Sequence, residues 1–399
     1  PLFVFGVYLL MLRKYSLLTI FKALLYSGVA SLFLPILWYI AAYKQGGDHF
    51  LNVVLAENFG RFFHLSTPDI NYELGHENGV WYNFVTLAAG FVPWTLFFVF
   101  SLFGIKYCKP QKSLKEILRD IWHKILSMEK VQLFSLVVLV CVLFFYSIPS
   151  SKRSVYLMPA YPFIAIFLAQ YAIYITEYRM RVTRVFAAFL VSIVAVILVA
   201  LGLTMSGVIH PELIVQQYTH HESTIETVSL VSNMFASPNG LTIGILLFLL
   251  AILLTVGYQM FKKINLKILY STIALMFATN LLIDGVIMRG IREGTSSRPF
   301  AQQVIKEYPL DANNMFVMND LKQYTNLYGL NFYLGNKFHN FETQQPSNGY
   351  LFSTEEDLEI IQNKYGDKYT FSKLTSTKNV IADVHQKIVL CSFLLKTAQ

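Results

Sequence analysis

Residues 131–175 read VQLFSLVVLVCVLFFYSIPSSKRSVYLMPAYPFIAIFLAQYAIYI, two strongly apolar runs joined by the short stretch 148–155. A bilayer core of about 30 Å takes roughly 20 helical residues. Residues 131–149 and 156–175 are each near that length and carry no charge. They read as consecutive transmembrane helices, which leaves Lys152 and Arg153 at the bilayer surface between them. Pro149 and Pro159 bracket the connection and restrict its conformations. Tyr156, three residues past Arg153, stands at the mouth of the second helix with a hydroxyl donor.

The same reading extends outward. The chain is 55% hydrophobic, 15% aromatic and 14% charged, whereas a soluble domain carries about 25% charged residues. Further apolar runs near 18–42, 81–105, 185–208, 239–261 and 268–288 bring the expected complete spans to seven. Pro1 to Met11, followed by Arg13 and Lys14, is apolar but too short to cross alone and reads as a partial first helix of an N-terminally truncated fragment. It has neither the basic start nor the small-residue cleavage site of a signal peptide. The expected fold is an α-helical polytopic membrane protein.

Orientation follows from the cations of the short loops. Lys106, Lys109, Lys112, Lys115, Arg119, Lys124 and Lys130 crowd one loop, Arg179, Arg181 and Arg184 the next, and Lys262, Lys263 and Lys267 a third. These loops are placed in the cytoplasm. The alternating loops are acid-rich, with Asp48, Glu57, Asp69, Glu73 and Glu77 in 44–80 and Glu212, Glu222 and Glu226 in 209–238, so they face outward together with 148–155. Lys152 and Arg153 therefore break the charge rule, which points to an anionic ligand; the alternative is that they snorkel to the interface, as Lys22 and Lys44 do. The net charge of +8 is mainly an orientation signal and makes no case for nucleic acid.

Two domains are expected: 1–289 as the membrane part, including outer loop 44–80, and 290–399 as a small α/β domain outside the membrane. In the second, helices are expected at 298–307, 321–333 and 354–364, and strands at 315–318, 369–371 and 387–395. Phe352-Ser353-Thr354-Glu355-Glu356-Asp357 has the hydroxyl cap and acidic first turn of a helix start. Cys108, Cys141 and Cys391 fall in different compartments under this topology and read as structural residues.

The outer loop holds Glu57-Asn58-Phe59-Gly60-Arg61-Phe62-Phe63-His64 and, later, His76-Glu77-Asn78. On a helix Glu57 and Arg61 share a face and can pair weakly; alternatively the planar Arg61 fork binds a phosphate. His64 and His76 could be metal ligands, but two lone histidines twelve apart are weak evidence for a metal. No cofactor is expected, and a divalent metal has no support in the spacing. Trp81 and Tyr82 fit the aromatic belt, Pro93 reads as a helix kink, and Asp284 with Asn280 and Arg289 reads as a satisfied polar cluster.

The order Glu57…Phe59-Gly60-Arg61-Phe62…His76…Trp81-Tyr82…Gly90…Pro93-Trp94, then Ser150-Ser151-Lys152…Tyr156-Leu157-Met158-Pro159-Ala160…Pro162, resembles the aminoarabinose transferases of lipid A. It also resembles their relatives among the polyprenyl-phosphate-dependent glycosyltransferases of the GT-C class, which include the protein O-mannosyltransferases. The likeness covers about 18–175 and departs at Met158, where the family usually has leucine, and at Arg153, where leucine often follows the lysine.

The resemblance implies a multi-pass enzyme of the bacterial inner membrane with its C-terminal domain in the periplasm. It would move a sugar from a polyprenyl-phosphate donor to an envelope acceptor, a lipid A-like glycolipid first and a protein second. Lys152, Tyr156 and Arg61 match the family's donor-phosphate residues, Arg153 is a weaker addition, and Glu57 and His76 are supporting candidates. The family's catalytic acid lies in an earlier outer loop, which would precede Pro1, so this fragment alone is expected to be inactive. A lipid transporter and a non-catalytic scaffold are the competing classes; inverted repeats and midplane polar residues would favour the first.

Overall fold

The computed structural model describes residues 1–55, 77–103, 112–149, 151–318 and 327–396. The chain forms two compact units, Pro1–Ala187 with Lys263–Leu269, and Ala188–Lys262 with Tyr270–Gln399. Among the described residues six helices are long and apolar enough to cross a membrane, or seven if a sharply bent pair counts as one span. This is the polytopic helical architecture expected from the apolar runs.

In the first unit the helices are α1 (Leu2–Leu12), α2 (Leu17–Leu55), α3 (Tyr82–Gly90), α4 (Trp94–Leu102), α5 (Leu114–Leu126), α6 (Lys130–Ser147), α7 (Tyr161–Tyr178) and the start of α8 (Met180–Met205). Helix α1 packs on α2 and α6, with Phe5 and Tyr8 both against Phe134 at ring separations of 5.5 and 5.2 Å. The helix expected over 18–42 is longer, running on past a break at Gly47, whose φ of 60° is readily adopted only without a Cβ. Within the basic segment before α6, residues 114–126 are helical. Ser113 and Glu116 form a reciprocal capping box at the start of α5. Its exposed Leu114, Leu118, Ile121 and Trp122 recur at helical spacing, the pattern of an interfacial helix.

The span expected at 81–105 is where sequence and structure differ most. It is two nine-residue helices whose axes meet at 100°, not one kinked rod. Pro93 supplies no amide to a continuous helix, and a Cβ on Gly90 would overlap the Tyr161 hydroxyl. The bent pair nonetheless runs the length of α7. Asn83 at its start donates to Tyr146 O at 2.9 Å, beside the beginning of α7. Phe91 packs on Tyr161 at 4.9 Å, Phe98 on Tyr171 at 5.7 Å, and Arg179 past the end of α7 donates to Phe103 O at 2.6 Å and to Ser101 O. The bend is thus accommodated within one crossing.

The second unit continues α8 and adds α9 (Pro211–Gln216), α10 (Glu222–Ala236), α11 (Gly240–Lys262), α12 (Asn265–Leu282, from Tyr270 onward) and α13 (Met288–Gly294). Asp284 lies in a π-helical turn, Ile283–Ile287, that joins α12 to α13. The expected cluster with Arg289 is not formed: Arg289 pairs with Glu293 at 3.0 Å, four residues on along its own helix. Met234 and Leu230 of α10 sit directly over Gly290 and Gly294 of α13, where side chains would collide. Small residues four apart permit this close helix approach.

The C-terminal part of this unit is a three-layer α/β/α fold. It contains α14 (Arg298–Glu307), β1 (Met315–Val317), α15 (Tyr328–Tyr333), β2 (His339–Asn340), α16 (Phe341–Gln344), β3 (Asn348–Thr354), α17 (Glu355–Tyr365), β4 (Tyr369–Ser376) and β5 (Ile388–Leu395). The sheet order is β2-β1-β3-β5-β4, with β1 parallel to both neighbours and β3, β5 and β4 antiparallel. Strand alternation sorts the core. Met315, Val317, Phe352, Ile388 and Leu390 pack with Phe300 and Val304 of α14 on one face. Phe316, Leu351 and Phe393 pack with Phe341, Ile361 and Tyr369 on the other. Strand β3 was not expected, because its start is polar and its end overlaps the Ser353-Thr354-Glu355 helix signal; Thr354 does cap α17, accepting the Asp357 amide at 3.2 Å.

Candidate functional site

The site is built where residues 77–80 meet the connection between α6 and α7. An isolated antiparallel bridge pairs Glu77 with Ser151, so residues 77–80 and 151–153 lie at the same end of the first unit. Arg153 opens a 3-10 turn, Ser154–Ala160, whose first bond runs from the Tyr156 amide to Arg153 O at 3.1 Å. Leu157 and Ala160 are fully buried and hold this turn against the helices, while Met158 is exposed.

Lys152 is 4% exposed, an unusual state for an ammonium group. Its Nζ donates to Asn78 O at 3.0 Å and Pro149 O at 2.5 Å. Its own carbonyl accepts from Asn78 Nδ2 at 3.1 Å. Lys152 thus clamps two segments 74 residues apart. An ammonium has three N–H donors, and these contacts take two of them with neutral acceptors. Among the described residues no carboxylate pairs with Lys152. Removing a lone cation from water costs several kcal/mol unless polar groups replace its hydration. Here carbonyl dipoles replace the water, and among the described residues no negative charge offsets the ammonium, which is the electrostatic condition for receiving an anion.

Arg153 is exposed beside it. Tyr156 is half-buried and stacked on Tyr146, with ring centroids 5.3 Å apart and planes 23° from parallel. The stack ties the 3-10 turn to the end of α6, and Lys152, Arg153 and Tyr156 follow one another within five residues at this connection. Arg61, Glu57 and His76, and also His64, lie outside the described residues.

Three contributors escaped the sequence reading. Asn78 supplies both a carbonyl to Lys152 and an amide to the Lys152 carbonyl. Asn83, 1% exposed, ties α3 to the end of α6 through Tyr146 O and Ser147 Oγ, the latter at 3.2 Å. Pro149 was read only as a restraint, yet its carbonyl is the shorter Lys152 contact. A buried asparagine at the head of an apolar run was the one signal available for Asn83.

No family model and no curated protein matches the chain. Among solved structures it resembles ArnT from Cupriavidus metallidurans bound to undecaprenyl phosphate, with a TM-score of 0.56 at 13% identity. The chain has the fold of ArnT. The likeness covers 98% of this chain and 64% of the ArnT chain. Against ArnT in the apo state the TM-score is 0.54 at 12% identity, covering 98% and 63%. The chain thus spans less than two thirds of the ArnT length, and the helices of both units and the C-terminal sheet fall within the matched part.

Proposed function

We propose that the full-length protein is a GT-C glycosyltransferase that moves a sugar from a polyprenyl-phosphate donor to an envelope acceptor at the periplasmic face of the bacterial inner membrane. A lipid A-like glycolipid is the acceptor we favour, and residues 290–399 are assigned to the periplasm. The ArnT fold over 98% of the chain supports this, as does the undecaprenyl phosphate bound in one ArnT structure. The observation that carries the reading is the buried Lys152 ammonium, held by two backbone carbonyls and paired with no carboxylate among the described residues, four residues before Tyr156.

In the proposed reaction the acceptor oxygen attacks the anomeric carbon as the bond from that carbon to the phosphate oxygen breaks. Negative charge then grows on the departing lipid phosphate. A cation already held by protein carbonyls stabilises that charge with little reorganisation, the kind of electrostatic help that contributes several kcal/mol to a barrier. Arg153 and Arg61 are the proposed auxiliary cations, Tyr156 the hydroxyl donor, and Glu57 and His76 supporting groups from the outer loop.

The test is a pair of variants of the full-length protein in membranes, Lys152→Met and Lys152→Arg, measured for polyprenyl-phosphate binding and for transfer from a lipid-linked sugar. A phosphate in contact with the ammonium, at about 4 Å and an effective dielectric near 20, gains about 4 kcal/mol, so Lys152→Met is expected to weaken binding by about a thousandfold. Lys152→Arg should retain part of it. Wild-type binding and transfer in Lys152→Met, with only a lower melting temperature, would reduce Lys152 to a structural clamp.

A further inference from the structure

The first unit has a second cationic site, at the end remote from Lys152. Helix α4 ends there, α7 ends at Tyr178 and α8 begins at Met180. Between them lies a half-open cavity of about 710 Å³ lined by Phe100, Phe103, Tyr178, Arg179, Arg181 and Val185. Because α7 and α8 are both membrane-length helices, residues 178–185 sit at the depth of lipid headgroups. At about 30 Å³ per water, the cavity has room for a phosphoglycerol headgroup and the first methylenes of its chains.

Its chemistry is divided. Arg179 is anchored, donating to Ser101 O and Phe103 O, the terminal carbonyls of α4, and these two contacts leave donors of its five-donor guanidinium for a ligand. Arg181 is exposed at the mouth. Arg184, one turn further, donates to Asn265 Oδ1 at 3.3 Å, while its buried Nε has no hydrogen-bond partner. Among the described residues none of the three arginines is paired with a carboxylate. The opposite wall is aromatic and aliphatic, with Phe103 71% and Val185 61% exposed. A surface that only needs positive charge for orientation requires neither the concavity nor the apolar wall.

We infer that this cavity binds an anionic glycerophospholipid of the adjacent leaflet, with the phosphate on Arg179 and Arg181 and the acyl chains along Phe100, Phe103 and Val185. Basic pockets between membrane helices recognise anionic headgroups through this combination of charge and apolar contact. The site is separate from the proposed donor-phosphate site and does not depend on transfer activity.

The experiment is native mass spectrometry of the full-length protein released from nanodiscs of equimolar phosphatidylglycerol and phosphatidylcholine. Wild type is expected to retain phosphatidylglycerol at least tenfold over phosphatidylcholine. Arg181→Gln, which removes an exposed charge, and Val185→Trp, which narrows the cavity with charge unchanged, should each reduce that preference at least fivefold. A preference unaltered in both variants would overturn the site. Displacement of the lipid by millimolar inorganic phosphate would reassign it to a free anion, and displacement by equimolar undecaprenyl phosphate would reassign it to the polyprenyl lipid; both outcomes also overturn the inference.

Discussion

Glu226 offers a direct probe of how the C-terminal α/β fold is fastened to the helices of its own unit. The loop after β4 is held at several points: Asn379 Nδ2 donates to Gly294 O at 2.9 Å, the Ala382 amide to Thr295 O at 3.0 Å, and the Val380 amide to Glu226 Oε2 at 2.7 Å. The other Glu226 oxygen lies 3.1 Å from Lys387 Nζ, and both side chains are mostly buried, at 19% and 22% exposed. Glu226→Ala removes a charge-assisted hydrogen bond, about 1.5–3 kcal/mol. Lys387 keeps Glu222 as a partner, so little is added for a stranded ammonium. The expected loss is about 2–3 kcal/mol, confined to this attachment. Local opening sets amide exchange, and a factor of ten corresponds to about 1.4 kcal/mol, so the Val380 and Ala382 amides should exchange about 30- to 150-fold faster. Glu226→Gln keeps an acceptor and should cost about 1 kcal/mol, or about fivefold. Hydrogen–deuterium exchange on the full-length protein in nanodiscs reads both variants, with β3 and β5 as internal standards. Wild-type exchange at Val380 in Glu226→Ala would show that this contact does not hold the loop.

Three further outcomes follow from the same domain. Gly349 has φ 154°, and a Cβ there would stand 2.8 Å from Phe316 Cε2 and 3.0 Å from Phe393 Cζ; Gly349→Ala should cost about 1–3 kcal/mol and lower the domain's melting temperature by at least about 4 °C, and an unchanged melt would refute the packing argument. Thr354→Ala removes the α17 cap and should cost about 1 kcal/mol, whereas Thr354→Ser should be close to neutral in denaturant titration. Burial pushes the Cys391 thiol up to about 11, so alkylation by iodoacetamide at pH 8 should require unfolding. The same shift fixes the sign of a pH effect: above the ordinary thiol value the unfolded chain loses its proton first, so stability should fall as pH rises from about 9 to about 11. Lys387, held above the ordinary lysine value chiefly by its hydrogen bond to Glu222, acts in the same direction, its contribution being complete below 10.5 and lost above the folded value. A melting temperature constant across pH 8–11 would contradict both.

Much of the architecture was legible because its cause is local. A run such as 185–208 is apolar for the length of a bilayer whatever surrounds it, and α8 occupies it. The helix at 298–307 and the strands near 315–318 and 387–395 were readable from periodicity within a residue or two. The capping box Ser113-x-x-Glu116 is equally local, a helix-start signal set among the segment's seven cations. Strand β3 was hidden for a different reason: its place between β1 and β5 is decided by pairing with strands far along the chain, and its own polar start carries little strand signal.

For the candidate site, the Lys152-Arg153 pair and Tyr156 stand out in the sequence because two cations between membrane-length apolar runs must lie at a surface. Residue order alone determined the spans, the surface position of that loop and the existence of a mixed α/β region after the last span. Only the tertiary structure decided that the 81–105 segment crosses with a 100° bend alongside α7, and that Lys152 is sequestered on the Asn78 and Pro149 carbonyls while Arg153 remains in the open. Hydropathy is a sum over neighbours in the chain, whereas the environment of a buried charge is set by which distant carbonyls are folded against it.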